Sequence, residues 1–384
     1  MLSSIDHKVA EGLALNSLEV INFRAFERLS IPNLAKVNLI TGKNNVGKSA
    51  LLEAIELYAS FISPMTLQKL LVSRDELPTA WMRSRNPGAR IAFQPSHPVE
   101  QALQNLFYNR PLVDGYQSPF LLGPLGKLLT VNVEWFDMVA LHDAEENYEL
   151  RPIAEAQLDR AHDPDLYVTV RQGSSIPVRQ YILGRILSKD IPNDKGMRRS
   201  EYITPHGVQD EKIGTMWDAV VATSAEGTVL EALRILHPSI ERLVFVAEEG
   251  GSGQRVPLVK STEGERAPLR SFGEGMSRVL GIILGLTTVG NGGVLLIDEI
   301  ESGLHYSVMP DFWRLIRKVA EQLNVQVFAT THSWECIEAF QHSTTSASSE
   351  GILIRLDRRQ GLVAPTIFDE RRLAIATRDQ IEVR

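Results

Sequence analysis

Between a short apolar run and a helical one the chain carries Gly42-Lys43-Asn44-Asn45-Val46-Gly47-Lys48-Ser49, which fits the pattern G-x-x-x-x-G-K-[ST] in full. No other segment constrains the fold as strongly. Backbone N–H groups converge on a polyphosphate only where glycines let the chain come close and where a helix begins with its positive end facing the anion. Both flanks agree. Val37-Asn38-Leu39-Ile40 reads as a strand ending at Thr41-Gly42, and Ser49 to Tyr58 places apolar residues at helical spacing without Gly or Pro. In such a loop Lys48 reaches the β- and γ-phosphates of ATP, and the Ser49 hydroxyl joins a Mg²⁺ shell.

A second segment completes the chemistry. Val294-Leu295-Leu296-Ile297 reads as a strand buried on both faces, and Asp298-Glu299 follows at its C-terminal end, where ligands gather in open α/β sheets. Asp298 is the candidate for the Mg²⁺ shell, and Glu299 for orienting and polarising a water. Ser271-Phe272-Gly273-Glu274-Gly275 opens a helix with a hydroxyl and two glycines, a composition suited to anion binding. Thr330-Thr331-His332-Ser333 follows the next apolar strand, Val325 to Thr330, and offers an imidazole at a strand end. Helices alternating with apolar strands in the last third predict an α/β fold with a sheet covered on both faces.

These segments resemble the ABC-type ATPases of the SMC, RecF and overcoming-lysogenization-defect (OLD) group, over roughly Leu15 to Phe61 and Leu236 to Phe340. The resemblance makes Gly42 to Ser49 a Walker A loop and Asp298-Glu299 a Walker B pair with its catalytic glutamate. His332 becomes the switch histidine, expected to sense the γ-phosphate. Ser271, Gly273 and Gly275 match a degenerate signature, SFGEG where transporter members have LSGGQ, and Glu301 to His305 falls at the D-loop. Asp298 to His305 looks most like the OLD branch. Gln68, Gln94 and Gln104 all remain candidates for the Q-loop. Arg24, in Asn22-Phe23-Arg24-Ala25-Phe26, lies where related ATPases approach the phosphates, with a solvated strand residue as the alternative.

The resemblance implies a P-loop NTPase head of ABC type, a mixed sheet with flanking helices plus an inserted lobe. It also implies a head-to-tail homodimer with ATP and Mg²⁺ at the interface. OLD nucleases carry a Toprim domain after the switch histidine, and the tail beyond His332 is too short for one. The expected function is therefore an ATPase subunit that regulates a separate effector, a nuclease or toxin in bacterial anti-phage defence. The alternative is a RecF- or SMC-like DNA clamp or loader.

The rest of the chain sets bounds. Its 384 residues predict two or three lobes at roughly 150 residues each. The reading divides them into 15–62 (Walker A half of the head), 63–227 (inserted α/β lobe or lid) and 228–384 (signature, Walker B and switch half). With 43% apolar and 23% charged residues the chain can bury a full core. No apolar run approaches the roughly 20 residues of a membrane span, and no secretory layout opens the chain, which points to the cytoplasm. A formal net charge of -7 argues against coating nucleic acid by bulk charge, although a local basic face stays possible. The single Cys336 allows no intrachain disulfide and reads as a buried thiol on a helix. Glu301 and His305 are spaced i, i+4, but with no third ligand no metal site is expected beyond Mg²⁺. Within 63–227, strands are expected at Leu129 to Met138, Tyr148 to Arg151 and Leu166 to Arg171, and Ser188 to Gly207 reads as a loop.

Overall fold

The structure, a computed structural model, describes residues 13–78, 97–109, 118–140, 148–153, 164–173, 177–183, 197–208, 210–223, 225–247, 255–264, 266–343 and 351–383. The chain opens with β1 (Leu18–Phe23), β2 (Phe26–Ile31), β3 (Val37–Gly42), α1 (Lys48–Ala59), α2 (Pro64–Ser73) and α3 (His97–Gln104). A run of strands follows: β4 (Phe120–Gly123), β5 (Leu129–Ala140), β6 (Tyr148–Pro152), β7 (Pro164–Gln172), β8 (Arg179–Ile182) and β9 (Ser200–Ile203). Next come α4 (Asp210–Ala222), α5 (Glu226–Leu236), β10 (Ile240–Ala247), β11 (Arg255–Ser261), β12 (Arg266–Pro268) and α6 (Glu274–Val289). The remainder is β13 (Val294–Ile297), α7 (Met309–Gln322), β14 (Gln326–Thr330), α8 (Trp334–His342), β15 (Gly351–Arg359), β16 (Leu362–Phe368) and α9 (Glu370–Arg378).

Two large sheets and one small one result. The first runs β16-β15-β3-β14-β13-β9, parallel throughout except for the β15–β16 hairpin. The second, β2-β1-β4-β5-β7-β8 with β6 on β5, is antiparallel. The third is the meander β10-β11-β12. Every residue of β3, β13 and β14 is buried, as two-sided coverage of parallel strands requires. Side chains alternate between the faces. Leu295 and Ile297 enter the core built with α6, α7 and α8, whereas Val294 and Leu296 enter the one that surrounds α1. That second core also holds residues of β1, β2, β4, β5 and β7, so α1 is packed between the two large sheets. Buried polar groups in the parallel sheet are paired: the Asn38 amide donates to Ala35 O (2.8 Å) and Val327 O (3.1 Å), and that of Gln326 donates to Leu15 O (2.7 Å) and Ala35 O (2.9 Å).

The structure redraws three expectations. Asn22 to Phe26, where Arg24 is open to a strand reading, spans the turn of the β1–β2 hairpin; Arg24 takes a left-handed φ of 47°, and Phe23 pairs with Phe26 across the turn. Within Ser188 to Gly207, Ser200–Ile203 is a core strand parallel to β13, residue by residue from Val294↔Ser200 to Ile297↔Ile203; residues 184–196 lie outside the described ones. Pro192, Gly196 and Pro205 flank a four-residue strand whose pairing partner lies far along the chain, so local sequence hides it. For the same reason 63–227 does not stand apart as a lobe: β4 pairs with β1, and β9 with β13. The expected strands at 129–138, 148–151 and 166–171 all lie within β5, β6 and β7. Among the described residues no helix is long and apolar enough to cross a membrane. Cys336 is buried on α8, and burial pushes its thiol far up from the ordinary range.

Candidate functional site

The loop between β3 and α1 is shaped by its glycines. Gly42 has φ 144°, and a Cβ there would collide with the Leu356 carbonyl. Gly47 has φ 115°, and a Cβ would sit 3.0 Å from Phe26 Cζ and 3.1 Å from Ala25 Cβ. Only glycine combines those torsions with that crowding. Asn45 supplies a third left-handed residue, φ 61°, and Lys43, Asn44 and Val46 complete the turn. Lys48 opens α1 and donates from Nζ to Gly42 O (2.7 Å) and Lys43 O (3.3 Å), so its ammonium sits over the loop's carbonyls. Burial lowers the Lys48 pKa, and the nearby carboxylates of Asp298, Glu299 and Glu301 pull the other way.

Asp298 and Glu299 share a strand end but have opposite surroundings. Asp298 is 8% exposed, and its carboxylate accepts three hydroxyl donors: Ser49 (2.8 Å), Tyr202 (3.2 Å) and Thr330 (2.5 Å). They come from α1, β9 and β14, so three neighbouring elements fix one acid. The backbone beneath it is clamped by the Arg278 guanidinium of α6, which donates to Asp298 O (2.6 Å), Glu299 O (2.9 Å) and Thr204 O. Burial lowers the Arg278 pKa to about 10, against the pull of Asp298, Glu301 and Glu299. Glu299 instead has φ 48° and a side chain 41% exposed; its N–H donates to Thr330 Oγ1 (2.8 Å), and Ser302 Oγ donates to its Oε2 (3.3 Å). The left-handed backbone turns this carboxylate out of the core.

Lys48, Ser49, Asp298 and Glu299 line one cleft of about 790 Å³, joined by Arg24, Arg74, Asn105 and Asn109. Arg24 is no solvated strand residue. Its side chain is 7% exposed, with Nε 2.7 Å from Glu53 and both terminal nitrogens on Glu76 (2.8 and 3.0 Å). Arg74 holds the other Glu53 oxygen at 2.5 Å. Burial raises the Glu53 pKa, which the two arginines oppose. His332 stands on the Glu299 side, its Nδ1 3.9 Å from Glu299 and 3.2 Å from Glu301.

Other expected site residues lie elsewhere. Ser271 and Gly273 are exposed at the start of α6, outside the cleft lining. Gly275 packs on the turn at residues 301–303, where a Cβ would lie 2.6 Å from Gly303 O. Residues 301–303 form a turn, so Glu301 and His305 share no helical face, and no group of three ligands for a metal occurs among the described residues. Of the Q-loop candidates, Gln68 is buried in α2 and Gln104 sits on α3, neither in the cleft lining, while Gln94 lies outside the described residues. Tyr202, Arg278, Thr330 and the Arg74–Glu53 pair were not singled out from sequence. A legible signal existed for Arg278, a lone cation in the apolar helix Met276 to Leu286.

Fold and site together define a P-loop ATPase of ABC type, with the cleft of Lys48, Ser49, Asp298 and Glu299 at the C-terminal edge of a mainly parallel sheet. Residues 37–337 match the family described as "AAA domain, putative AbiEii toxin, Type IV TA system", and the chain belongs to that family. It is 26% identical over 336 residues to a protein of Helicobacter pylori named "ATP/GTP phosphatase", covering 84% of this chain and 86% of that one. An uncharacterized protein of Methanocaldococcus jannaschii is 39% identical over 90 residues, 23% of this chain and 77% of its own length. A crystal structure of an SMC head bound to the C-winged helix domain of ScpA shares the fold, with a TM-score of 0.50 at 13% identity, over 92% of this chain and 97% of that one.

Proposed function

We propose that this ATPase is a dimeric nucleotide switch that controls a separate effector in bacterial defence. The observation that carries the dimer is the separation within one chain. Lys48, Asp298 and Glu299 line the cleft, whereas Ser271 and Gly273 are exposed outside it. A second copy offering that face closes both clefts by one two-fold operation. Lys48 draws charge from the β- and γ-phosphates, Glu299 aligns a water, and His332 responds to the γ-phosphate. The hard-oxygen pair of Ser49 Oγ and Asp298 Oδ2, 2.8 Å apart, suits Mg²⁺, and these two residues would hold it. Mg²⁺ there supplies neutralisation of phosphate charge. The family's toxin–antitoxin description and the phosphatase name of the Helicobacter pylori relative support a phosphohydrolase switch with a defence output.

Mass measurement of the chain and its neighbouring gene products, with and without ATP, tests this reading. An ATP-dependent dimer carrying a co-purified protein is expected; an ATP-bound monomer sinks it. The SMC-head fold favours a second reading, a DNA clamp. ATPase stimulated by DNA, with affinity falling steeply as salt rises, would select the clamp instead.

A further inference from the structure

Glu301 is absorbed by neither the phosphate loop nor the Walker B pair, yet it faces the switch histidine. Its side chain is 14% exposed. One oxygen, Oε1, accepts the backbone N–H of His332 at 3.0 Å and lies 3.2 Å from Nδ1 of the same imidazole. The other, Oε2, is buried without a hydrogen-bond partner among the described residues, a cost that a merely solvated D-loop residue would not bear. The turn carrying Glu301 is itself stitched to the end of β14. Glu299 N donates to Thr330 Oγ1 at 2.8 Å and Ile300 N to Thr330 O at 3.0 Å, so the carboxylate is the third tie between the two strand ends. On its far side the turn bears on the signature helix, through the contact of Gly303 with Gly275.

We infer that Glu301 is the positioning residue of the switch: it anchors the His332 backbone and holds hydrogen on Nδ1, leaving Nε2 to face the nucleotide. A carboxylate beside one ring nitrogen selects tautomer and ring direction together. In this role Glu301 acts through His332. The geometry also gives the signature helix a path to the histidine, from Gly275 through the 301–303 turn to Glu301.

The inference rests on the reading of His332 as a group that acts at the γ-phosphate, and a double-mutant cycle on the full chain separates the two. Phosphate release is measured for His332→Ala, Glu301→Ala, Glu301→Gln and the Glu301→Ala/His332→Ala double variant, with folding checked by circular dichroism. Glu301→Ala is expected to lower kcat about 10- to 100-fold while KM for ATP stays within about threefold, because positioning is lost and ground-state binding is not. Glu301→Gln, which keeps an oxygen for the His332 N–H, restores most of that loss. The double variant falls no further than His332→Ala alone. Independent losses in the double variant, or unchanged kcat in Glu301→Ala, overturn the inference. Unchanged kcat in His332→Ala overturns the reading beneath it instead. If Glu301→Ala does not fold, the imidazole ¹⁵N shifts of the native protein decide: hydrogen on Nδ1 supports Glu301, and hydrogen on Nε2 alone overturns it.

Discussion

The two large sheets divide the work of the site between them. Strands β3, β13 and β14 run parallel and are buried along their whole length, and they deliver reactive groups at their C-terminal ends: the phosphate loop, Asp298-Glu299 and Thr330-His332. The antiparallel sheet delivers none of these. It presses on the loop instead, through Phe26 against Gly47, and its hairpin turn sends Arg24 into Glu53 and Glu76. Chemistry thus comes from strand ends, while the geometry of α1 is held from the opposite side. A site assembled this way fails in two distinguishable manners, by losing turnover or by losing structure.

Glu299→Gln tests the first. On the proposed role of Glu299 in aligning and polarising a water, phosphate release should fall about 10²- to 10⁴-fold, with the thermal midpoint unmoved; a lowered midpoint at normal turnover would break the division. Arg24→Ala tests the second. It leaves Glu53 and Glu76 buried without that cation, and urea unfolding should show a loss of about 3–5 kcal/mol. If Arg24→Ala keeps full stability and loses only turnover, the hairpin belongs with the chemistry. A smaller effect is expected for Gly47→Ala, where a side chain must adopt φ 115° against Phe26. About 1–3 kcal/mol of backbone strain should appear as weaker nucleotide binding in calorimetry. Least of all, Tyr202→Phe removes one of the three hydroxyls on Asp298. A cost of about 0.5–1.5 kcal/mol in stability is expected, read by denaturant titration, because Ser49 and Thr330 remain.

Sequence made the reactive half legible because that half is local. The phosphate loop needs its glycines in one octet, and the Walker B acids follow directly on Val294–Ile297, so pattern and position coincide. The supporting half is made of contacts between distant residues. Tyr202 reaches Asp298 only because β9 pairs with β13, and Arg24 reads as strand surface until the turn at residues 24–25 folds it inward. Neither Glu53, on α1, nor Glu76, in the turn after α2, bears any local mark of its partner, since an acid in such a place is ordinary until its neighbours are known.

Cys336 gives the molecule a practical property. It is the one thiol in these 384 residues, enclosed beside Trp313 and Thr331, where burial disfavours the thiolate that alkylating reagents attack. A cysteine introduced at an exposed position such as Ser271 would therefore carry a fluorophore or cross-linker selectively, with the native residue silent. Probes placed there would test in real time whether two copies approach each other when ATP binds, without first engineering a cysteine-free background.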